Sequence, residues 1–331
     1  MGINMPYLSP AVRSGQAVRS MDRSKRPALS VASGLAHPGS LQRKPALRFA
    51  GSLDIQLLLQ QAKFPTVLSD LPVFDPASPE SVKTYQSGLA LAQKLARPEV
   101  SKMPVGAIAI GNSGKAYLGA NLELKGGLPN ETVHAEVFAL LNARAHGESG
   151  IQMMIQSLRP CGSCRQALLE AGNPDLPIHV VDMKRGEVDT KTAGAYLPNS
   201  YHYASGQKNW FQSPRLDITE PADARFRPAW RAALQSYLPN PNRKTWAGLS
   251  VQTSDKKQFE GCVLTVPAPN NTISPLQDVM VRMAAAHEPV AGIQAVTMVE
   301  PAAPDYSFSA LIAQTLKRLA PQATFSVLSQ S

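Results

Sequence analysis

Apolar side chains recur on one helical face between positions 54 and 63 (DIQLLLQQAK), with Ser52 or Asp54 placed to cap the first turn. A second helix is predicted over 78–96, opened by SPESV and carrying Val82, Tyr85, Leu89 and Leu95 at near-helical spacing. After Pro104 the period drops to two. The run VGAIAI (105–110) reads as a buried strand, GNSG (111–114) as a turn, and AYLGA (116–120) as the returning strand.

That hairpin layout recurs near the other end of the chain. A strand AGLSV (247–251), a turn TSDKK (253–257) and a strand QFEGC (258–262) repeat it. Ala247 to Cys262 is the same 15-position step as Gly106 to Asn121. Each hairpin leads through a Pro-containing loop into a predicted helix, at 133–145 and at 276–286. The pattern predicts an internal duplication, with the Pro-rich stretch 214–228 as its linker. The expected organisation is a leader over 1–53, a helical segment over 54–103, a first domain over 104–205, a linker over 206–230 and a second domain over 231–331. No apolar run reaches the ~18 residues of a membrane helix, and three cysteines in 331 residues exclude a disulfide-stapled scaffold.

A net charge of +9 would point to nucleic acid if it were spread over the chain. It is concentrated instead: residues 1–53 hold eight Lys/Arg against Asp22 alone, or +7, which leaves +2 for 54–331. Neither a nucleic-acid nor a membrane partner is expected of so neutral a body. The leader is Ser-rich, Arg-bearing and acid-poor, without apolar periodicity, and its composition predicts disorder. It fits an organelle transit peptide, an export leader, or a solvated tail with no address on a cytoplasmic protein. Pro6 stands where a myristoylation motif wants Ser or Thr.

Chemistry concentrates at HAE (134–136) and PCGSC (160–164). Thiolate and imidazole are ligands that tetrahedral zinc favours, and two cysteines three apart at a helix start can turn both sulfurs to one ion. A helix over 162–170 would aim its free N–H groups at those sulfurs and lower their pKa. His134 opens the helix over 133–145 in the same way. His134, Cys161 and Cys164 leave a fourth position open, as in catalytic rather than structural zinc sites. Glu136, two residues on, can reach that position without being a ligand. A zinc-bound water acidified toward pH ~7 is a nucleophile, and Glu136 can carry its proton. The other candidates read as structural: Cys262 as a buried thiol at a strand end, His179 as a strand residue with a satisfied ring. His146, His202 and His287 have no ligand-spaced partner.

The pattern H-x-E…P-C-x-x-C is the signature of zinc deaminases. Together with VGAI (105–108), GANLE (119–123), TVHAE (132–136) and PCGSCRQ (160–166), it makes the chain resemble the cytidine deaminases of nucleoside salvage, in their long, two-domain, homodimeric branch. The resemblance implies an α/β protein with a three-layer α/β/α fold around a mixed sheet. It also implies a catalytic domain over 104–205 and a degenerate, non-catalytic copy over 231–331. One zinc per chain is implied, held by His134, Cys161 and Cys164. The implied reaction is hydrolysis of cytidine or deoxycytidine to uridine or deoxyuridine plus ammonia, with zinc-bound hydroxide attacking C4 and Glu136 shuttling the proton. Asn121 and Glu123 match the pair that hydrogen-bonds the ribose 3′-hydroxyl, and a carboxylate there would repel a 3′-phosphate. The backbone N–H groups of Ala135 and of the Cys161 turn match those placed around the base and the reacting oxygen. In the second copy SPLQD (274–278) stands in place of HAE and no PCxxC follows, so it holds no zinc. The resemblance implies that this copy lends a loop to the partner's site.

Three positions bear on base recognition. Met103 stands where the family has an aromatic residue that stacks on the pyrimidine, and the loop at 268–270, with Pro269, lacks the Phe that closes the neighbouring subunit's site. Two lost stacking faces would cost about 1–3 kcal/mol each, by analogy with bases stacked on aromatic side chains. Methionine can still fill the space, and Tyr201, in LPNSY (197–201), offers a third aromatic. The alternatives are an exported or organelle-targeted deaminase with an altered substrate, and a zinc protein that binds a nucleoside or partner without turnover. The intact Glu136 argues against the second.

Overall fold

Asp54 accepts a hydrogen bond from the Leu57 N–H at 3.1 Å and starts helix α1 (Ile55–Gln60). Ser52, the other candidate cap, lies outside the residues that the computed structural model describes, which are 54–200, 209–213, 216–240, 242–266 and 271–330. A short strand β1 (Val67–Leu68) precedes helix α2 (Pro79–Gln93), which Ser78 caps through the Ser81 N–H. Pro79 costs nothing at the first helical position, where its missing N–H would have had no partner. Val82, Tyr85 and Leu89 turn inward from this helix.

The hairpin β2 (Gly106–Gly111) and β3 (Ala116–Ala120) follows as the alternation predicts. Helix α3 (Ala135–Ala145), strand β4 (Ile151–Gln156), helix α4 (Gly162–Ala171), strands β5 (Pro177–Val181) and β6 (Val188–Thr192) and a single turn α5 (Ala193–Tyr196) complete the first half. The sheet order is β1-β3-β2-β4-β5-β6, with β4 and β5 parallel and the other pairs antiparallel. Helix α2 covers one face of this sheet and α3 the other. A Cβ on Gly106 would lie 2.6 Å from Leu89 O of α2, and one on Gly119 would lie 2.4 Å from both Ala135 O and Ala139 N of α3. Only glycine lets the two helices approach so closely.

The second half repeats this plan. Helix α6 (Arg227–Ala233) leads to strands β7 (Gly248–Thr253) and β8 (Gln258–Cys262), helix α7 (Pro275–Ala285), strand β9 (Ile293–Pro301), helix α8 (Ser309–Leu319) and strand β10 (Thr324–Gln330). The order β8-β7-β9-β10 matches β3-β2-β4-β5, again with only the last pair parallel. The isolated bridges Arg97↔Leu122 and Leu122↔Val133 recur as Tyr237↔Leu264 and Leu264↔Ile273. Even the close approaches recur: Gly248 meets Ala229 O of α6, and Gly261 meets Pro275 O of α7. The fold is a three-layer α/β/α arrangement in duplicate. Helix α6 begins inside the stretch expected to be linker, because it stands where α2 stands in the first half and buries Ala229, Ala232 and Ala233.

Helices α3 and α7 pack together between the two sheets. One hydrophobic core therefore runs from Ile55 through both helices to Ala320. Arg144 of α3 bridges the halves, donating to Trp210 O, Ser213 Oγ and Cys262 Sγ. Cys262 ends β8 and is 1% exposed, the buried thiol that the sequence suggests. His179 lies on β5, with Nδ1 2.9 Å from Thr190 Oγ1 and its ring edge-on to Phe74. His146 and His287 bond to the carbonyls of Asn142 and Phe64, while His202 lies outside the described residues. No helix among the described residues is long and apolar enough to cross a membrane.

Candidate metal centre and substrate pocket

Two helix starts meet at one end of the first sheet. His134 is the cap residue of α3 and Cys161 that of α4, both in extended backbone, and neither side chain caps its own helix. The imidazole and the thiol are thereby left to face each other. His134 Nδ1 lies 3.4 Å from Cys161 Sγ and 3.3 Å from Cys164 Sγ, and the two sulfurs are 3.5 Å apart. His134, Cys161 and Cys164 are the group of potential ligands found among the described residues. Around a tetrahedral zinc at ordinary bond lengths such donors stand about 3.6–3.8 Å apart. The cluster needs only a few tenths of an ångström of opening, and its donor chemistry is that of zinc. The helix begins one residue after His134, not before it, which puts the ligand at the free N–H end of α3.

The proton balance of the cluster follows from its contacts. Hydrogen bonds from the Cys164 thiol and the His134 ring pull the Cys161 thiol down to about 3. Cys164 is pushed up by its bond to Cys161 and by burial. Contact with Cys161 raises His134. Glu136, in the first turn of α3, is 5% exposed, with Oε2 3.3 Å from Cys164 Sγ. Burial pushes its carboxyl above the ordinary value.

A pocket of about 250 Å³ opens over this cluster. His134, Ala135, Glu136, Cys161, Asn121, Glu123 and Met103 all line it, so the residues singled out from sequence converge on one cavity. Cys164 is buried behind it and lines a second, smaller cavity together with His134 and Gln277. Asn121 accepts from the Val105 N–H at 2.9 Å and donates to Glu123 Oε1 at 3.0 Å. Glu123 also accepts from the Val100 and Ser101 N–H groups and from the Ser101 hydroxyl. Four donors fill the acceptor capacity of a carboxylate. Burial works against the charge of Glu123, but these bonds outweigh it and hold the carboxyl below its ordinary value.

Sequence reasoning missed four groups here. Ser101 sits on Glu123, Leu158 and Arg159 line the pocket, and Gln277 reaches in from the second half. None carries a spacing signal: Ser101 and Gln277 act on partners distant in the chain, and Leu158 and Arg159 only line the wall. Tyr201 and the 268–270 segment with Pro269 lie outside the described residues.

Comparison with known proteins agrees with this geometry. Residues 80–180 match the zinc-binding region of cytidine and deoxycytidylate deaminases. The cytidine deaminase of Shewanella oneidensis is 30% identical over 291 residues, covering 86% of this chain and 88% of that protein. The cytidine deaminase of Shewanella pealeana is 31% identical over 267 residues, with 76% and 80% covered. A solved cytidine deaminase from Burkholderia pseudomallei is 29% identical, covers 34% of this chain and 93% of its own, and has a TM-score of 0.32. The coverage of the Shewanella proteins takes in both halves of the chain, and with it the duplication as well as the metal cluster. The chain belongs to the cytidine deaminase family.

Proposed function

We propose that the chain hydrolyses cytidine and deoxycytidine to uridine and deoxyuridine, releasing ammonia, as a step of pyrimidine salvage. The observation that carries this reading is a buried carboxyl, Glu136, packed against a His/Cys/Cys cluster at the floor of a pocket. Zinc held by His134, Cys161 and Cys164 would supply Lewis acidity to a water at the fourth position. Glu136 would take one proton from the attacking water and deliver it to the ring nitrogen N3, where it stays, and would then carry the second, from the new C4 hydroxyl, to the departing amine. A C4–O bond forms, the C4–N4 bond breaks, and ammonia leaves. Ala135 lines the pocket at the first position of α3, where a helix N–H has no intrahelical partner, and its N–H would be available to the base.

Asn121 and Glu123 form the sugar side, where a negative carboxylate favours a free 3′-hydroxyl over a phosphate. Met103, half exposed at the mouth, takes the place of a stacking aromatic. A shifted substrate is the second reading, favoured by Met103 and by the four donors already bound to Glu123.

The domain division read from the sequence is part of the proposal, with α6 assigned to the motif-free repeat. So is a homodimer: Val100, Met103 and Leu158, all exposed, offer a second copy an apolar rim beside the pocket. A cytoplasmic location is proposed, with export or organelle entry through residues 1–53 as the alternative. Ammonia release by the full chain on cytidine, deoxycytidine, CMP and adenosine, beside E136Q, tests the activity. Cytidine or deoxycytidine turnover that vanishes in E136Q is the expected result, and sedimentation of the same sample reads the dimer.

A further inference from the structure

The second repeat has no metal motif, yet it grips the loop that delivers His134. In α7, Gln277 reaches across to the first half and donates from Nε2 to Asn130 O at 3.0 Å and to Thr132 O at 3.1 Å. Its Oε1 accepts from the Ser274 N–H at 2.9 Å, while the Ser274 hydroxyl accepts from the Gln277 N–H. That reciprocal cap fixes the side chain at both ends. Gln277 is 6% exposed, so these bonds are shielded from water.

A second grip lies further back along the same loop. From α8, Thr315 donates its hydroxyl to Glu131, and Arg318 pairs with Glu131 Oε2 at 3.1 Å while also donating to Gly126 O. Glu131 in turn accepts from the Leu128 N–H at 2.6 Å. Val133 is pinned to Leu122 by two backbone bonds, and the next residue is His134. Nε2 of His134 has no hydrogen-bond partner among the described residues. Most metal-binding histidines are aimed by a bond at the second ring nitrogen. The backbone beneath the ring is held instead, at Val133 and along the loop before it.

We propose that Gln277, backed by Arg318 and Thr315, is a positioning residue for the metal centre: the motif-free repeat holds the 126–133 segment so that His134 Nδ1 stays within reach of both cysteines. The proposal rests on the reading of His134, Cys161 and Cys164 as a zinc site. It assigns the second repeat a task inside its own chain.

The test is the rate at which the zinc-loaded full chain gives up zinc to a chromophoric chelator. Loss of a group that orients a ligand weakens metal binding about 10–100-fold, so Q277A should release zinc about tenfold faster or more. R318M, which removes only the outer grip, should speed release by less and guards against a Q277A that does not fold. S274A removes the cap hydroxyl of α7 but leaves the Nε2 contacts, so it should lower the melting temperature without speeding release. Release in Q277A and R318M at the wild-type rate, or a rate that tracks melting temperature equally in S274A, overturns the proposal. E136Q should retain zinc as the wild type does. A wild-type chain that takes up no zinc refutes the metal-site reading itself, a different failure from unchanged release.

Discussion

Gly119 offers the sharpest perturbation of the link between sheet and metal centre. In G119A the new Cβ would lie 2.4 Å from Ala135 O and from Ala139 N, both backbone atoms of α3. That is about 1 Å short of ordinary van der Waals contact, and no flexible side chain can move aside. Helix α3 must retreat, taking with it His134 at its cap and Glu136 in its first turn. Overpacking of a core typically costs about 1–3 kcal/mol, and the backbone-to-backbone clash argues for the upper end. At about 2.1 cal/mol/K of unfolding entropy per residue, a loss of about 3 kcal/mol lowers the melting temperature by roughly 4–5 °C in a protein of this size. Misplacing a reacting group by about 1 Å costs about 10²-fold in rate. Calorimetry and steady-state ammonia release on the same preparation measure both effects. A G119A protein melting within about 1 °C of wild type, with unchanged kcat/KM on cytidine, would refute the packing argument and the placement of Glu136 together.

E136Q keeps shape but cannot take up a proton, so kcat should fall by about 10²–10⁴ with zinc content unchanged by elemental analysis; lost zinc would instead make Glu136 a ligand. M103F should restore a stacking face at the pocket mouth and lower KM for cytidine severalfold, given about 1–3 kcal/mol per stacked base; an unchanged KM would show that the base lies elsewhere. Glu148 is the pH-sensitive case. Burial opposes its charge, but the Ser113 and Tyr117 hydroxyls and the Ser113 N–H prevail and hold its carboxyl below the ordinary 4.5. A group depressed on folding adds stability above its unfolded pKa, and that stability is lost as pH falls through the folded value. Urea unfolding should therefore show wild type weakening below about pH 4.5 and E148Q, already weaker by about 1–3 kcal/mol, weakening less over the same range. Parallel slopes would refute the assignment.

Most of the metal centre was legible because its signals are local. Two ligands at helix caps and a third one turn on leave a spacing that can be read directly, and the two hairpins announce themselves by a period of two and by polar turns, GNSG (111–114) and TSDKK (253–257). Helix α3 was harder to place by amphipathicity, since it lies between layers and buries Ala135 through Ala143 on every side. Strands β4 and β9 went unread for a similar reason: their burial does not alternate cleanly. Helix α6 was hidden by its Pro-bearing start, which reads as linker. Gln277 left no trace because its partners stand 145 and 147 positions away. Ser101 likewise acts on a carboxylate 22 positions downstream.

Deamination assayed directly on the purified full chain, with zinc counted in the same sample, tests the central claim. One zinc per chain and turnover of cytidine or deoxycytidine to the uridine product, abolished in E136Q, is the predicted result. Stoichiometric zinc with no ammonia released from cytidine, deoxycytidine, CMP or adenosine would contradict it.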